Sequence, residues 1–138
     1  MIHATPSDPT DAFELHLREE DAREVSAAWR QALALAILEG GCLSYRDPEG
    51  ALVGIFGLSQ DGQECCIWLL CSSLVEKHKA AVWRAGKQQV EMARARGCLV
   101  YNFIPKDSPR NRAFVAALGF RLLPSPRDGF DFFYLPHV

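Results

Sequence analysis

The stretch from Glu64 to Gly97 constrains this chain more than any other. Cys65-Cys66-Ile67-Trp68-Leu69-Leu70-Cys71 is an unbroken apolar run that passes through Ser72-Ser73-Leu74-Val75-Glu76-Lys77-His78 into an amphipathic segment. A short run that is apolar at every position and ends in polar residues reads as a strand buried on both faces, inside a sheet. The segment after it sets Val82, Ala85/Gly86, Val90 and Ala93 on one side of a helix and Arg84, Lys87, Glu91 and Arg94 on the other, with Gly97 as its stop. A buried strand running into a helix N-terminus gathers free backbone N–H groups, a common seat for the phosphates of nucleotides and of coenzyme A.

The rest of the composition narrows the classes. A length of 138 residues suits one domain with a real core, and 49% hydrophobic with 23% charged residues is ordinary for a soluble globular protein. The formal net charge of -2 gives no support to a nucleic-acid surface. No apolar segment approaches a membrane span, and Met1-Ile2-His3-Ala4-Thr5-Pro6 does not have the form of a secretory signal, so neither membrane nor secretion is expected. Cys42, Cys65, Cys66, Cys71 and Cys98 form an odd set with no CxxC pair and read as reduced, mostly buried small hydrophobes. Cys65 and Cys66, being adjacent in a strand, point to opposite faces.

Taken in order, Ile2 to Thr5 predicts a short edge strand ended by Pro6. Asp8-Pro9-Thr10-Asp11 predicts a helix start, with a helix from Pro9 to about Leu17 and a second from about Glu20 to Glu39. The core stripe of the second is Val25, Ala28/Trp29, Ala32/Leu33 and Ala36/Ile37, and Gly40-Gly41 closes it. Three antiparallel strands follow: Cys42 to Arg46, Ala51 to Leu58 and the run from Cys65, joined by turns at Asp47-Pro48-Glu49-Gly50 and Ser59-Gln60-Asp61-Gly62. Gly54 and Gly57 mark a bulge or a close approach. After the long helix, Cys98 to Ile104 is a further buried strand, parallel to Cys65–Cys71 by the right-handed crossover rule. Ser108 and Pro109 start a short helix to Leu118, which Gly119 ends, and Phe120–Leu123 with Phe130–Leu135 form a closing hairpin around Pro126-Arg127-Asp128-Gly129.

This is an α/β chain (an α+β mixed sheet) with the order β-α-α-β-β-β-α-β-α-β-β. With Ala117-Leu118-Gly119-Phe120 after the short helix, it resembles the GNAT (GCN5-related N-acetyltransferase) superfamily over nearly its whole length. Short patterns bring it closer to the GNAT-like internal virion proteins of short-tailed phages: Leu17 to Val25, Val53-Gly54-Ile55-Phe56-Gly57, Ile67-Trp68-Leu69-Leu70 and Leu118-Gly119-Phe120. The resemblance implies a central mixed sheet whose parallel pair splays apart. It implies acetyl-CoA as the possible cofactor, bound by Leu69, Leu70, Cys71, Ser72, Ser73, Lys77, His78 and Lys79, with Ser108 in place of the family's helix-capping Asn.

Against the family's pattern, the loop at Ser72 to Ala80 has no glycine where Gln/Arg-x-x-Gly-x-Gly/Ala is usual, and Glu76 places a negative charge near the expected phosphates. Lys77, His78 and Lys79 oppose that charge. The acid of the family mechanism, a Tyr four residues before Gly-Phe, corresponds to Val115. Glu64 and Tyr101 are the candidate catalytic residues, with Asn102 beside them; the plainer readings are a solvated turn residue and a core aromatic. Cys71 with His78 makes a poor metal or thiol–imidazole pair, so no metal is expected. His3, His16 and His137 read as scattered surface residues, Trp29, Trp68 and Trp83 as core, and Lys106, Arg110 and Arg112 as a solvated basic cluster.

The leading expectation is therefore a phage-encoded GNAT-fold protein with a virion-associated or assembly role and with acyl transfer lost or marginal. The resemblance implies a place in the cytoplasm of a bacterial host or in the virion, and as partners other phage virion proteins or a second copy. The aromatic Phe130-Asp131-Phe132-Phe133-Tyr134-Leu135 would suit such contacts. One alternative is an active acetyl-CoA-dependent N-acyltransferase acting on a small-molecule or protein amine. A third reading is a non-catalytic CoA-binding module.

Overall fold

A computed structural model describes residues 2–23 and 25–135, so His137 lies outside the described residues. The elements run β1 (His3–Pro6), α1 (Asp11–Glu14), α2 (Glu19–Ala22), α3 (Trp29–Glu39), β2 (Cys42–Arg46), β3 (Leu52–Asp61) and β4 (Glu64–Cys71). A 3-10 turn (Ser73–Lys77) then leads to α4 (Lys79–Ala95), β5 (Leu99–Pro105), α5 (Pro109–Ala117), β6 (Arg121–Pro124) and β7 (Phe130–Leu135). The strands order as β1-β2-β3-β4-β5-β7-β6 in a mixed sheet. By their contacts the residues group into two compact units, Met1–Ser59 with Trp68–Val82, and Gln60–Ile67 with Trp83–Val138.

In the first unit β1, β2 and β3 form antiparallel ladders, Thr5 opposite Ser44 and Ser44 opposite Ile55. Ala12, Leu15, Leu33, Ile37, Cys42, Leu52 and Ile55 make the core, with Trp68 and Leu70 packed against it. A polar knot ties α1 to β2: the buried Asp11 carboxylate accepts from the Ser44 hydroxyl (2.7 Å), the Arg46 guanidinium (2.9 Å) and the Asp8 N–H (3.0 Å). A buried carboxylate is tolerable only with such partners.

In the second unit β4 and β5 are parallel, with Glu64, Cys65 and Cys66 opposite Leu99, Val100 and Tyr101. β5 pairs with β7, and β7 with β6, both antiparallel. Val90, Ala93, Val100, Ile104, Val115, Phe120, Phe133 and Leu135 are buried. Phe120 meets Phe133 edge-on at 5.0 Å between ring centres.

The expected long helix and its apolar stripe hold, and Gly97 ends it at φ +73°. The helices before β2 differ from expectation. The first ends at Glu14 rather than about Leu17, because Leu15 turns extended (ψ 124°) to bury its side chain completely, and Arg30 donates to its carbonyl at 2.9 Å. The expected second helix is two: α2 stops at Ala22 and α3 begins at Trp29. Each is anchored separately, α2 through Arg18 and Asp21 and α3 through the buried Leu33 and Ile37. Trp29, Trp68 and Trp83 are half-buried rather than enclosed.

Gly57 shows why a glycine interrupts an otherwise apolar strand. A Cβ there would stand 1.8 Å from the Trp68 ring, which occupies the space a side chain would fill. Gly57→Ala forces the indole out, an overpacking that should cost about 1–3 kcal/mol or more. Urea denaturation measures it, and a variant as stable as the parent would show that the ring moves freely.

Candidate functional site

The first unit holds the end of β4 and the turn after it. Leu69 and Leu70 are half-buried strand residues; Cys71 and Ser72 are buried. Ser72 turns the chain: its N–H donates to the Val53 carbonyl (2.9 Å), and its hydroxyl lies 2.9 and 3.2 Å from the carbonyls of Leu52 and Val53. Alternation along the strand then directs the N–H and C=O of Cys71 away from β3. Both are occupied. The Asp21 carboxylate accepts from the Cys71 N–H at 2.5 Å, and the Arg18 N–H donates to the Cys71 carbonyl at 3.0 Å. Asp21 is only 1% exposed, and its second oxygen accepts from Arg18 Nε at 3.0 Å.

Ser73–Lys77 forms a 3-10 turn rather than an open loop. Three donors are used locally: Leu74 N–H to Ser72 Oγ (3.3 Å), Val75 N–H to the Ser72 carbonyl (3.2 Å) and His78 N–H to the Val75 carbonyl (3.0 Å). Glu76 is balanced by Lys79, one of the three residues expected to oppose it, and also by Arg18, which was not expected. Arg18 approaches it at 3.6 Å and Lys79 at 3.0 Å. Lys77 is exposed and His78 half-buried.

The second unit carries Glu64, Tyr101, Asn102 and Ser108. Glu64 is exposed at the first position of β4, opposite Leu99. Tyr101 lies on β5 between Cys66 and Tyr134. Burial, then the nearby Cys66, Glu64 and Asp61, push its phenol above the ordinary value. Tyr101 thus stays protonated at neutral pH and is suited to donate a proton, not to accept one. The Asn102 carboxamide donates to the Ile67 carbonyl (2.7 Å) and accepts from the Phe103 N–H (2.7 Å), directly after the last parallel pair at Cys66 and Tyr101. Ser108 precedes Pro109 as expected, but its side chain makes no capping bond; it is 5% exposed, and its hydroxyl has no partner among the described residues. Val115 is buried. Of the basic cluster, Arg112 is paired with Asp131 at 2.6 Å, and Lys106 lies 3.9 Å from the same residue.

Sequence reasoning missed Arg18 and Asp21, whose charges looked like an ordinary helix leader. Their signal was faint: an acid three residues after an arginine, fifty positions from the backbone group it serves. Among the described residues no cluster of three His, Cys, Asp or Glu could hold a metal ion, and no helix is long and apolar enough to cross a membrane. All five cysteines are free and only Cys66 is not fully buried.

No protein-family model matches the sequence, and no curated protein does. Solved structures do match. An acetyltransferase of Bacillus subtilis in complex with CoA aligns with a TM-score of 0.70 at 13% identity, covering 99% of this chain and 98% of that one. Ard1 from Thermoplasma volcanium gives 0.71 at 14% identity over 96% and 95%. A GNAT-family acetyltransferase of Bacillus anthracis gives 0.68 at 10% identity over 96% and 92%. The fold is that of the GNAT acetyltransferases.

Two measurements check this description. Asp21→Ala removes the buried acceptor of the Cys71 N–H and the nearest carboxylate of Arg18, leaving the guanidinium its longer contacts to Glu20 and Glu76. It should cost about 2–4 kcal/mol, whereas Asp21→Asn keeps one acceptor and should cost about 1–3 kcal/mol. A loss under about 1 kcal/mol for Asp21→Ala in urea denaturation would contradict the anchoring role. The second is alkaline stability. Burial raises the thiols of Cys42, Cys65 and Cys66 above 9.0, and Tyr101 above 10.0. The folded state holds these protons more tightly, so their contribution is complete below the unfolded values and is lost as pH rises through the raised ones. The melting temperature should hold from about pH 7 to 8.5 and fall between about 9 and 11; a flat profile to pH 11 would refute it.

Proposed function

We propose that this chain keeps the GNAT fold but has lost efficient acyl transfer, and that it works through its surfaces or as a weak coenzyme A binder. The observation that carries this reading is the turn after β4. Phosphate binding at such a turn requires backbone N–H groups without internal partners. Here Leu74, Val75 and His78 donate within the turn, and Cys71 at the strand's end is bound through both its backbone groups to Arg18 and Asp21. Val115, buried and apolar, adds to it: at that position nothing can reprotonate a leaving thiolate.

A second reading, coenzyme A bound without turnover, is favoured by two details. Arg18 and Lys79 balance Glu76, so the turn does not repel an anion as its sequence suggests. The buried, unpartnered Ser108 hydroxyl is a group that a ligand could satisfy. A virion-associated or assembly role rests on the short phage-like patterns alone; the structural neighbours do not bear on it.

Isothermal titration with acetyl-CoA, run beside an assay of CoA release with a panel of amines, tests the proposal. The expected result is no binding tighter than roughly 100 µM, about -5.5 kcal/mol, and no amine-dependent release. Low-micromolar binding without release selects the second reading. Amine-dependent release by the unmodified protein would overturn both and make the chain an N-acyltransferase.

A further inference from the structure

The strand order ends on β1 in the first unit and on β6 in the second, and among the described residues no strand pairs with the outer edge of either. An open edge is a template for another chain, because its outward N–H and C=O groups have no partner. Which groups face outward follows from the alternation of an antiparallel ladder. There, every second residue turns both backbone groups to the neighbouring strand, and the residues between turn both away.

At β1 the Ser7 N–H donates to the Cys42 carbonyl at 3.2 Å, continuing the register that sets Thr5 opposite Ser44 and His3 opposite Arg46. Ser7, Thr5 and His3 therefore bond to β2, and Ala4 and Pro6 point outward. The other side of β2 agrees. The Leu58 N–H donates to the Gly41 carbonyl at 3.1 Å, which turns Leu43 and Tyr45 toward β3 and leaves Ser44 and Arg46 for β1. At the opposite end, the Lys106 N–H donates to the Gly129 carbonyl at 3.0 Å, in register with the pairs of β5 and β7. Asp131, Phe133 and Leu135 thus bond to β5, and Phe132 and Tyr134 to β6. Their partners Leu123 and Arg121 face β7, so Leu122 and Pro124 point outward.

Each edge strand therefore carries a proline at one of its two outward positions, and proline has no N–H to offer. Within β1 the one outward donor is Ala4; within β6 it is Leu122. The gap matters most at β6, where Leu123 stands 47% exposed and makes the edge apolar. We propose that Pro6 and Pro124 guard the two edges: each deletes the second donor that an added strand would need, and so keeps its edge from extending onto another chain, a second copy of this one included. A partner is then met on a face or a helix and not by strand addition. The inference rests on the backbone pattern alone and is independent of the reading of the acyl site.

Pro6→Val and Pro124→Val restore the missing donors in an extended backbone. At about 200 µM each variant should aggregate at least about tenfold faster than the parent by light scattering, Pro124→Val the faster of the two. Circular dichroism confirms that each is folded. Pro48→Val, in an exposed turn away from both edges, is the control and should stay within about twofold of the parent rate. Folded edge variants that aggregate no faster than the parent overturn the proposal, and so does a control that aggregates as fast as they do. Hydrogen exchange on the unmodified protein tests the same pattern without a substitution. The amides of Ala4 and Leu122 should exchange at least about tenfold faster than those of Thr5 and Leu123. Equal rates, or the reverse order, overturn the proposal equally.

Discussion

A carboxylate buried at the end of a strand holds the first unit together. Asp21 is almost wholly removed from water, where an unpaired charge would be prohibitive. It persists because the Cys71 N–H and Arg18 Nε both point at it. Burial by itself would lower the Arg18 pKa, but Asp21 and its neighbours more than offset this, so the guanidinium stays charged. From this pair much else follows. The Arg18 N–H donates to the Cys71 carbonyl, and the Arg18 guanidinium reaches Glu76.

The second unit repeats the device with a neutral side chain. At the point where the parallel ladder of β4 and β5 stops, the Asn102 carboxamide supplies the donor for Ile67 and accepts from the Phe103 N–H. Within each unit, then, a side chain completes the hydrogen bonding of a strand that backbone pairing leaves open. A fold that satisfies its own strand ends does not need a ligand to be stable, and the same contacts compete with any ligand that would use those groups.

Much of this architecture was legible along the chain. The apolar run at Cys65–Cys71, the stripe of Val82, Val90 and Ala93, the turn at Asp47–Gly50 and the stop at Gly97 were readable because each depends on neighbours within a few residues. Gly57 was legible as a close approach, though not as the seat of Trp68. The break between α2 and α3 was not legible: helical periodicity runs through it, and the reason for it lies in Asp21 reaching a backbone group fifty residues away. Glu76 was read with the cations beside it in sequence, of which Lys79 does pair with it; the approach of Arg18, 58 residues away, was not legible.

The sequence by itself determined most of the order of elements, the parallel pair and the lack of a glycine between Ser72 and Ala80, since periodicity, turn chemistry and crossover handedness are local or topological constraints. Only the tertiary structure decided which backbone groups remain for chemistry. The donors of Leu74, Val75 and His78, the edge of Cys71 and the hydroxyl of Ser108 each depend on what packs nearby. Hydrogen bonds form over about 3 Å, a scale on which residues distant in the chain become neighbours only after folding.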